Sequence, residues 1–293
     1  MNKILASLFI VVFFTGFAQN QVDKIDVLNY NVQIEVSDDN DSIHVKETVT
    51  VQFLKDCNRF YLDLASVANG RGMTVIKAIT DGEKFLTYVH KDDKLWIAPK
   101  TQTKGTNFNF TIQYSGIPKT GMIIGKNKFG ERTFFGDNWP NRARQWIACV
   151  DHPSDKAKMQ FTVIAPKKYD CIATGDLISI DKYTRSKNIH SYLSNIELPT
   201  KVMVIGLAEF NVEILENDHG FILSTWAYSK DSKNGFTDMA VAKEVIDFFV
   251  ANIGDYPFEK LANVQSTTQF GGMENAGNIF YDEIIDNIKE HCN

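Results

Sequence analysis

Apolar and polar residues alternate with a period of two from Val22 to about Asn211. Tyr30, Val32, Ile34 and Val36 form one such run, and the polar stretch Ser37-Asp38-Asp39-Asn40-Asp41 turns the chain. Ile43, Val45, Val49, Val51 and Phe53 share one face of the next run, and Phe108, Phe110, Ile112 and Tyr114 repeat the pattern. Alternation of this kind predicts antiparallel strands with one face on a core and one in water. Asn69-Gly70, Asp81-Gly82 and Lys104-Gly105 supply turn signals between runs. The pattern predicts a large β-domain over residues 22–211 and no helix of three turns before about residue 235.

Beyond residue 211 the period changes. Phe221 to Trp226 still reads as a strand. Thr237 is then a candidate N-cap, with Asp238 in the first turn and Met239, Ala242, Ile246 and Phe249 at helical spacing. Gly254 is a candidate stop, Tyr256-Pro257-Phe258 breaks the chain, and Leu261 to Thr268 predicts another strand. Gly271-Gly272 interrupts that strand, and Asn278 to Tyr281 resumes it. A second, α/β unit is therefore expected over residues 212–293, incomplete as it stands. The fold class expected overall is mainly β.

The first residues change the picture of where the chain works. Lys3 precedes an apolar run, Ile4 to Phe17, and Gly16-Phe17-Ala18 places small residues at a cleavage site, so residues 1–18 read as a secretory signal. The alternative, a membrane anchor, needs about 20 apolar residues, and this run is shorter. The expectation is an exported chain, periplasmic or extracellular, with no membrane span after signal removal. No Cys follows the cleavage site, which argues against a lipoprotein.

Composition adds exclusions. The 293 residues are 44% hydrophobic and 23% charged, with a net charge of −5, and no basic tract points to nucleic acid or an anionic membrane. Cys57, Cys149, Cys171 and Cys292 lie far apart without C-x-x-C spacing. Export permits disulfides, so a Cys149–Cys171 bridge and isolated thiols both stand as readings.

One motif carries chemistry. In Gly271-Gly272-Met273-Glu274-Asn275 a carboxylate follows a flexible glycine pair at a strand end. A carboxylate held at a fixed place can grip a free ammonium through a charge-assisted hydrogen bond, while the strand edge pairs with an extended peptide. An isolated match would also fit a β-bulge beside a solvated acid. The neighbours decide between these readings. Tyr256-Pro257-Phe258-Glu259-Lys260-Leu261, the stretch from Gly271 to Tyr281, Arg144-Gln145-Trp146-Ile147-Ala148-Cys149-Val150-Asp151-His152-Pro153, Leu198-Pro199-Thr200-Lys201 and Ile205-Gly206 occur in a fixed order. Together they resemble the zinc aminopeptidases related to aminopeptidase N over roughly residues 25 to 283, with Ala148 standing where Pro is usual.

That resemblance implies a saddle-like N-terminal β-domain followed by a thermolysin-like catalytic domain. It implies that Gly271, Gly272, Met273, Glu274 and Asn275 bind substrate, with Glu274 on the α-ammonium of a peptide. A second contact in the family comes from an acid or amide just before the Arg144 motif. Here Asp137 is the candidate for it, while Trp139, at the usual acidic position, either shapes the pocket or packs in the core. The family also implies zinc held by a later H-E-x-x-H helix. None of His44, His90, His152, His190, His219 and His291 is four residues from another, and the stretch from Asn287 to His291 lacks the first His of H-x-x-E-H. His152 reads as structural.

The resemblance ends at about Asp282-Glu283, and Ile284 to Asn293 does not continue it, as in a truncated or frame-shifted reading frame. The expectation is the front part of an exported zinc metalloaminopeptidase, with peptide N-termini as its substrate class. Zinc would be the cofactor of the full-length enzyme, none would be bound by this chain, and the chain alone would be inactive. The alternative is a secreted, non-catalytic β-module that binds peptides or a partner.

Overall fold

A computed structural model describes residues 21–80 and 82–283. Residues 1–18 (expected to form a signal), Asp81, and the tail from Ile284 with His291 and Cys292 lie outside the described residues. The strands are β1 Ile25–Glu35, β2 Ile43–Phe53, β3 Phe60–Asp63, β4 Gly72–Thr80, β5 Thr87–Lys91, β6 Lys94–Ala98, β7 Asn107–Ile117, β8 Met122–Lys126, β9 Arg132–Gly136 and β10 Ala157–Pro166. They continue as β11 Asp170–Ala173, β12 Asp176–Lys182, β13 Lys187–Leu198, β14 Ile205–Ala208, β15 Phe210–Leu215, β16 Ile222–Tyr228, β17 Lys260–Ser266, β18 Gly272–Asn275 and β19 Asn278–Asp282. Two helices, α1 Ser232–Met239 and α2 Ala242–Asn252, stand between β16 and β17. Among the described residues no helix is long and apolar enough to cross a membrane.

The largest sheet has the order β12-β13-β10-β1-β2-β7-β4 and is antiparallel except where β1 meets β10. In β1 the buried phase runs through Ile25 and Val27, then restarts at Tyr30, Val32 and Ile34. A register shift against β2 between Val27 and Asn29 accounts for the change, because one extra residue in a β-bulge moves the following side chains to the other face. Sheets β3-β6-β5 and β11-β14-β9-β8 supply further layers. Apolar faces of all three meet in one core, where Phe60 makes edge contacts with Phe53, Phe108 and Phe110.

The last sheet, ordered β15-β16-β17-β19-β18, places the site. Along β17, Ala262 and Val264 join the core of the β-domain, while Leu261 belongs to a smaller cluster with Leu223 and Ile246 of α2. One face of this sheet therefore rests on the β-domain, and the other carries the helices.

The helices differ from the sequence expectation. Thr237 lies inside α1 and its Oγ1 donates to the carbonyl of Lys233 at 2.9 Å, so it does not cap. A hydroxyl turned back on the preceding turn is the common fate of Thr inside a helix. Gly235 lets α1 lie tight on β16, since a Cβ there would come within 2.6 Å of Ala227 Cβ. Past α2, Gly254 takes φ +140°, a conformation that favours glycine.

Cys57, Cys149 and Cys171 are free thiols, so the Cys149–Cys171 bridge does not form. Cys149 is fixed instead by its backbone, which exchanges two hydrogen bonds with Asp63 at 2.7 and 3.0 Å, whereas Cys171 sits on β11. Burial raises the pKa of both thiols above the ordinary range.

Candidate functional site

The motif forms a hairpin at the rim of the last sheet. Among the described residues β18 pairs only with β19, through Gly272↔Tyr281, Met273↔Phe280, Glu274↔Ile279 and Asn275↔Asn278, which makes it the edge strand of their sheet. Ala276-Gly277 makes the two-residue turn, with Gly277 at φ +72°. A Cβ at Gly277 would lie 3.0 Å from the Lys260 carbonyl, so both the turn and the close approach favour glycine here.

Alternation sorts the motif residues by face. Met273 is buried in the β-domain core, and Asn275 is buried with its Nδ2 donating to the Met273 carbonyl at 3.3 Å. Glu274 is exposed, and its Oε1 lies 3.2 Å from the position of a Cβ on Gly272. The missing side chain at 272 leaves that carboxylate its space. Gly271 accepts a backbone hydrogen bond from Asp282 at 3.3 Å. Among the described residues no hydrogen bond or ion pair engages the exposed Glu274 carboxylate.

Glu274 stands at the side of an apolar trough of about 660 Å³. Ile246 and Phe249 of α2, Tyr256, Leu261 and Ile279 give it apolar walls, and Leu198, Pro199 and Val202 close it from the β-domain. Glu274, Asn263, Asn275 and Tyr281 are the polar residues that reach it. The Tyr281 hydroxyl donates to Asn263 Oδ1 at 3.2 Å. Its pKa is raised, first by burial and then by the Glu274 charge, so it stays a protonated donor near neutral pH.

Asp137 does not line this trough. It is 3% exposed and held by Arg142 at 2.5 Å, with burial raising its pKa against the lowering pull of that guanidinium. The carboxylate is thus already engaged inside the fold, which its position in the sequence did not reveal. Trp139 is 50% exposed, with the Lys201 ammonium 4.4 Å from its ring centroid, so it is not packed in the core.

The Arg144 motif builds the frame behind the site. Arg144 Nε donates to Asp151 Oδ2 at 2.9 Å, and its Nη1 lies 3.4 Å from Asp63. Thr200 Oγ1 donates to Asp151 Oδ1 at 3.4 Å. Trp146 is fully buried, stacks on Phe161, and donates through Nε1 to Asn138, whose Nδ2 donates to the carbonyls of Thr200 and Met203. The motif thereby fixes residues 199–203, part of the trough wall. His152 is exposed and contacts Ser154.

Two ionisable residues escaped the sequence reading. Lys260 is 6% exposed, and its Nζ donates to the carbonyls of Ala173 and Gly175 at 2.7 and 2.6 Å, bolting β17 to the β-domain beside the hairpin turn. Burial pulls its pKa down to about 8. Glu47 is fully buried on β2, where Tyr114 Oη donates at 2.7 Å and the Ala148 amide at 3.1 Å to its Oε2. The visible signal was a gap at position 47 in the apolar series of Val45 and Val49.

Among the described residues no group of three or more His, Cys, Asp or Glu side chains could take a metal ion, so these residues do not fit a zinc centre.

Comparisons with known proteins agree with this architecture. The peptidase M1 N-terminal domain matches residues 27–202. Probable aminopeptidase 2 of Sulfurisphaera tokodaii is 25% identical over 239 residues, covering 78% of this chain and 29% of that protein. Probable aminopeptidase 1 of Saccharolobus solfataricus is 28% identical over 144 residues, covering 48% and 18%. The chain thus spans less than a third of the length of these relatives. The M1 zinc metallopeptidase of Deinococcus radiodurans has the same fold at a TM-score of 0.75 and 18% identity, covering 87% of this chain and 59% of that one.

Proposed function

This chain belongs to the peptidase M1 family, whose N-terminal domain occupies residues 27–202, and from that premise we propose that it is the front part of an exported zinc metalloaminopeptidase. In this reading Glu274 binds the α-ammonium of a peptide, the first side chain enters the trough, and the peptide backbone adds to the edge of β18. The observation that carries it is the Glu274 carboxylate, unpartnered among the described residues, on an edge strand beside an apolar trough. A charge-assisted contact of this kind contributes roughly 1.5–3 kcal/mol. Relatives described as probable aminopeptidases support the substrate class.

Titration of the purified chain with L-leucinamide and with N-acetyl-leucinamide tests the site. Binding of the free amine alone, weakened on the order of tenfold or more in Glu274→Gln, is the expected result. Equal binding of both compounds, or no change in the variant, would reject the role of Glu274.

Zinc ligands and a general base belong, in this reading, to parts of the enzyme other than the described residues. The chain by itself is expected to leave aminoacyl chromogenic substrates intact. Stoichiometric zinc in the purified chain, together with turnover abolished by a chelator, would contradict that expectation. The Lys3–Ala18 leader supports export, and N-terminal sequencing of the mature chain after secretion checks it.

A further inference from the structure

Asn263 is a polar residue of the trough wall with no part in holding the amine. It lies in the middle of β17 at 2% exposure, and its Oδ1 accepts the Tyr281 hydroxyl. Among the described residues its Nδ2 has no hydrogen-bond partner, and the residue lines the trough. A buried amide donor left without a partner is disfavoured, and a ligand acceptor in the trough would satisfy it. Tyr281 holds one end of the amide and leaves the other facing the trough.

Register sets the distance to Glu274. Asn263 is opposite Ile279 on β19, and Ile279 is opposite Glu274 on β18, so the three form one row across the sheet face. Two strand spacings, about 10 Å, separate the outer members. Their side chains rise from the same face, so a molecule lying over Ile279 meets both polar ends. Glutamine carries its α-nitrogen and its side-chain carbonyl at the two ends of such a molecule, whereas an unbranched alkyl chain fills the space without an acceptor.

We propose that Asn263 is a specificity-determining residue, reading a neutral amide on the first side chain of a peptide so that N-terminal glutamine is preferred over an apolar residue of equal length. The proposal rests on Glu274 as the amine anchor, with Tyr281 holding the Asn263 amide at the trough.

The test compares L-glutaminamide with L-norleucinamide by calorimetry on the purified chain and on Asn263→Leu. Glutaminamide is expected to bind wild type on the order of tenfold more tightly, and Asn263→Leu to remove or reverse that preference while still binding norleucinamide. Equal affinities in wild type overturn the proposal whether or not the variant folds, and so does an unchanged preference in a folded Asn263→Leu chain. Glu274→Gln separates the two readings. Loss of both ligands in that variant leaves the anchor standing and isolates any failure to Asn263, whereas unweakened binding of both overturns the anchor and the proposal with it.

Discussion

Replacing Arg144 with Met is expected to destabilise the fold by about 3–5 kcal/mol, because it leaves two inward-facing carboxylates without their cation. Asp151 is 6% exposed and takes its side-chain ion pair from Arg144, and Asp63 meets the same guanidinium. Burial already raises the pKa of Asp63, and Arg144 is the first influence opposing it. Removing the guanidinium therefore strengthens a penalty that exists now. The loss also spreads, since Asp151 holds Thr200 and the Ala65 amide donates to the Arg144 carbonyl. Urea denaturation checks the outcome through a lower midpoint at unchanged slope. Arg144→Lys should recover only part of the loss, because an ammonium cannot reproduce the guanidinium fork. A midpoint in Arg144→Met equal to wild type would show that the motif contributes nothing to the frame of the trough.

Stability should also fall as pH rises from about 5 to about 8, and Glu47→Gln should flatten much of that decline. Glu47 has an ordinary pKa of 4.5, pushed up to about 8 by burial against the lowering effect of the Tyr114 and Ala148 hydrogen bonds. Between those values the folded chain holds a proton that the unfolded chain has released. The Glu47 contribution is thus complete below about pH 4.5 and is lost as pH passes through 8. Over that window it amounts to on the order of 3–5 kcal/mol. Asp155, raised to about 7 by burial, acts in the same direction, so a residual slope remains in the variant. Lys260 acts in the opposite direction. Its pKa is lowered to about 8, so above that pH the unfolded chain binds the extra proton and stability rises. Denaturation at pH 5.5 and pH 8.5 isolates Glu47, with Glu47→Gln gaining on wild type only at the higher value. A constant difference at both would show that Glu47 is ionised in the folded chain.

The β-strands were legible because each buries one face, and the period of two survives in the residues themselves. The exception is instructive. The β1 bulge shifts the phase between Val27 and Asn29, and only a partner strand defines such a shift. α1 was missed in its first turns because Ser232-Lys233-Asn234-Gly235 has the composition of a loop. It forms because Gly235 allows contact with Ala227, and that contact is tertiary. The glycine neighbours and flanking segments marked Glu274 as a candidate, and the structure places it exposed on β18 beside the trough. Asp137 looked equally available, yet Arg142 lies one turn of chain away and closes on it. Asn263 left no trace, since a polar residue in a central strand reads as an interruption until the facing cavity is known. The sequence pattern carries burial well, and it carries pairing across strands poorly.

The central claim is that Glu274 grips the ammonium of a peptide N-terminus. Crystals of the chain grown with L-leucinamide measure it most directly. The amine nitrogen is expected within hydrogen-bonding distance of the Glu274 carboxylate and the isobutyl group over Ile279 in the trough, with no bound molecule in Glu274→Gln crystals grown the same way. A ligand seated elsewhere, or the same pose retained in the variant, would contradict it.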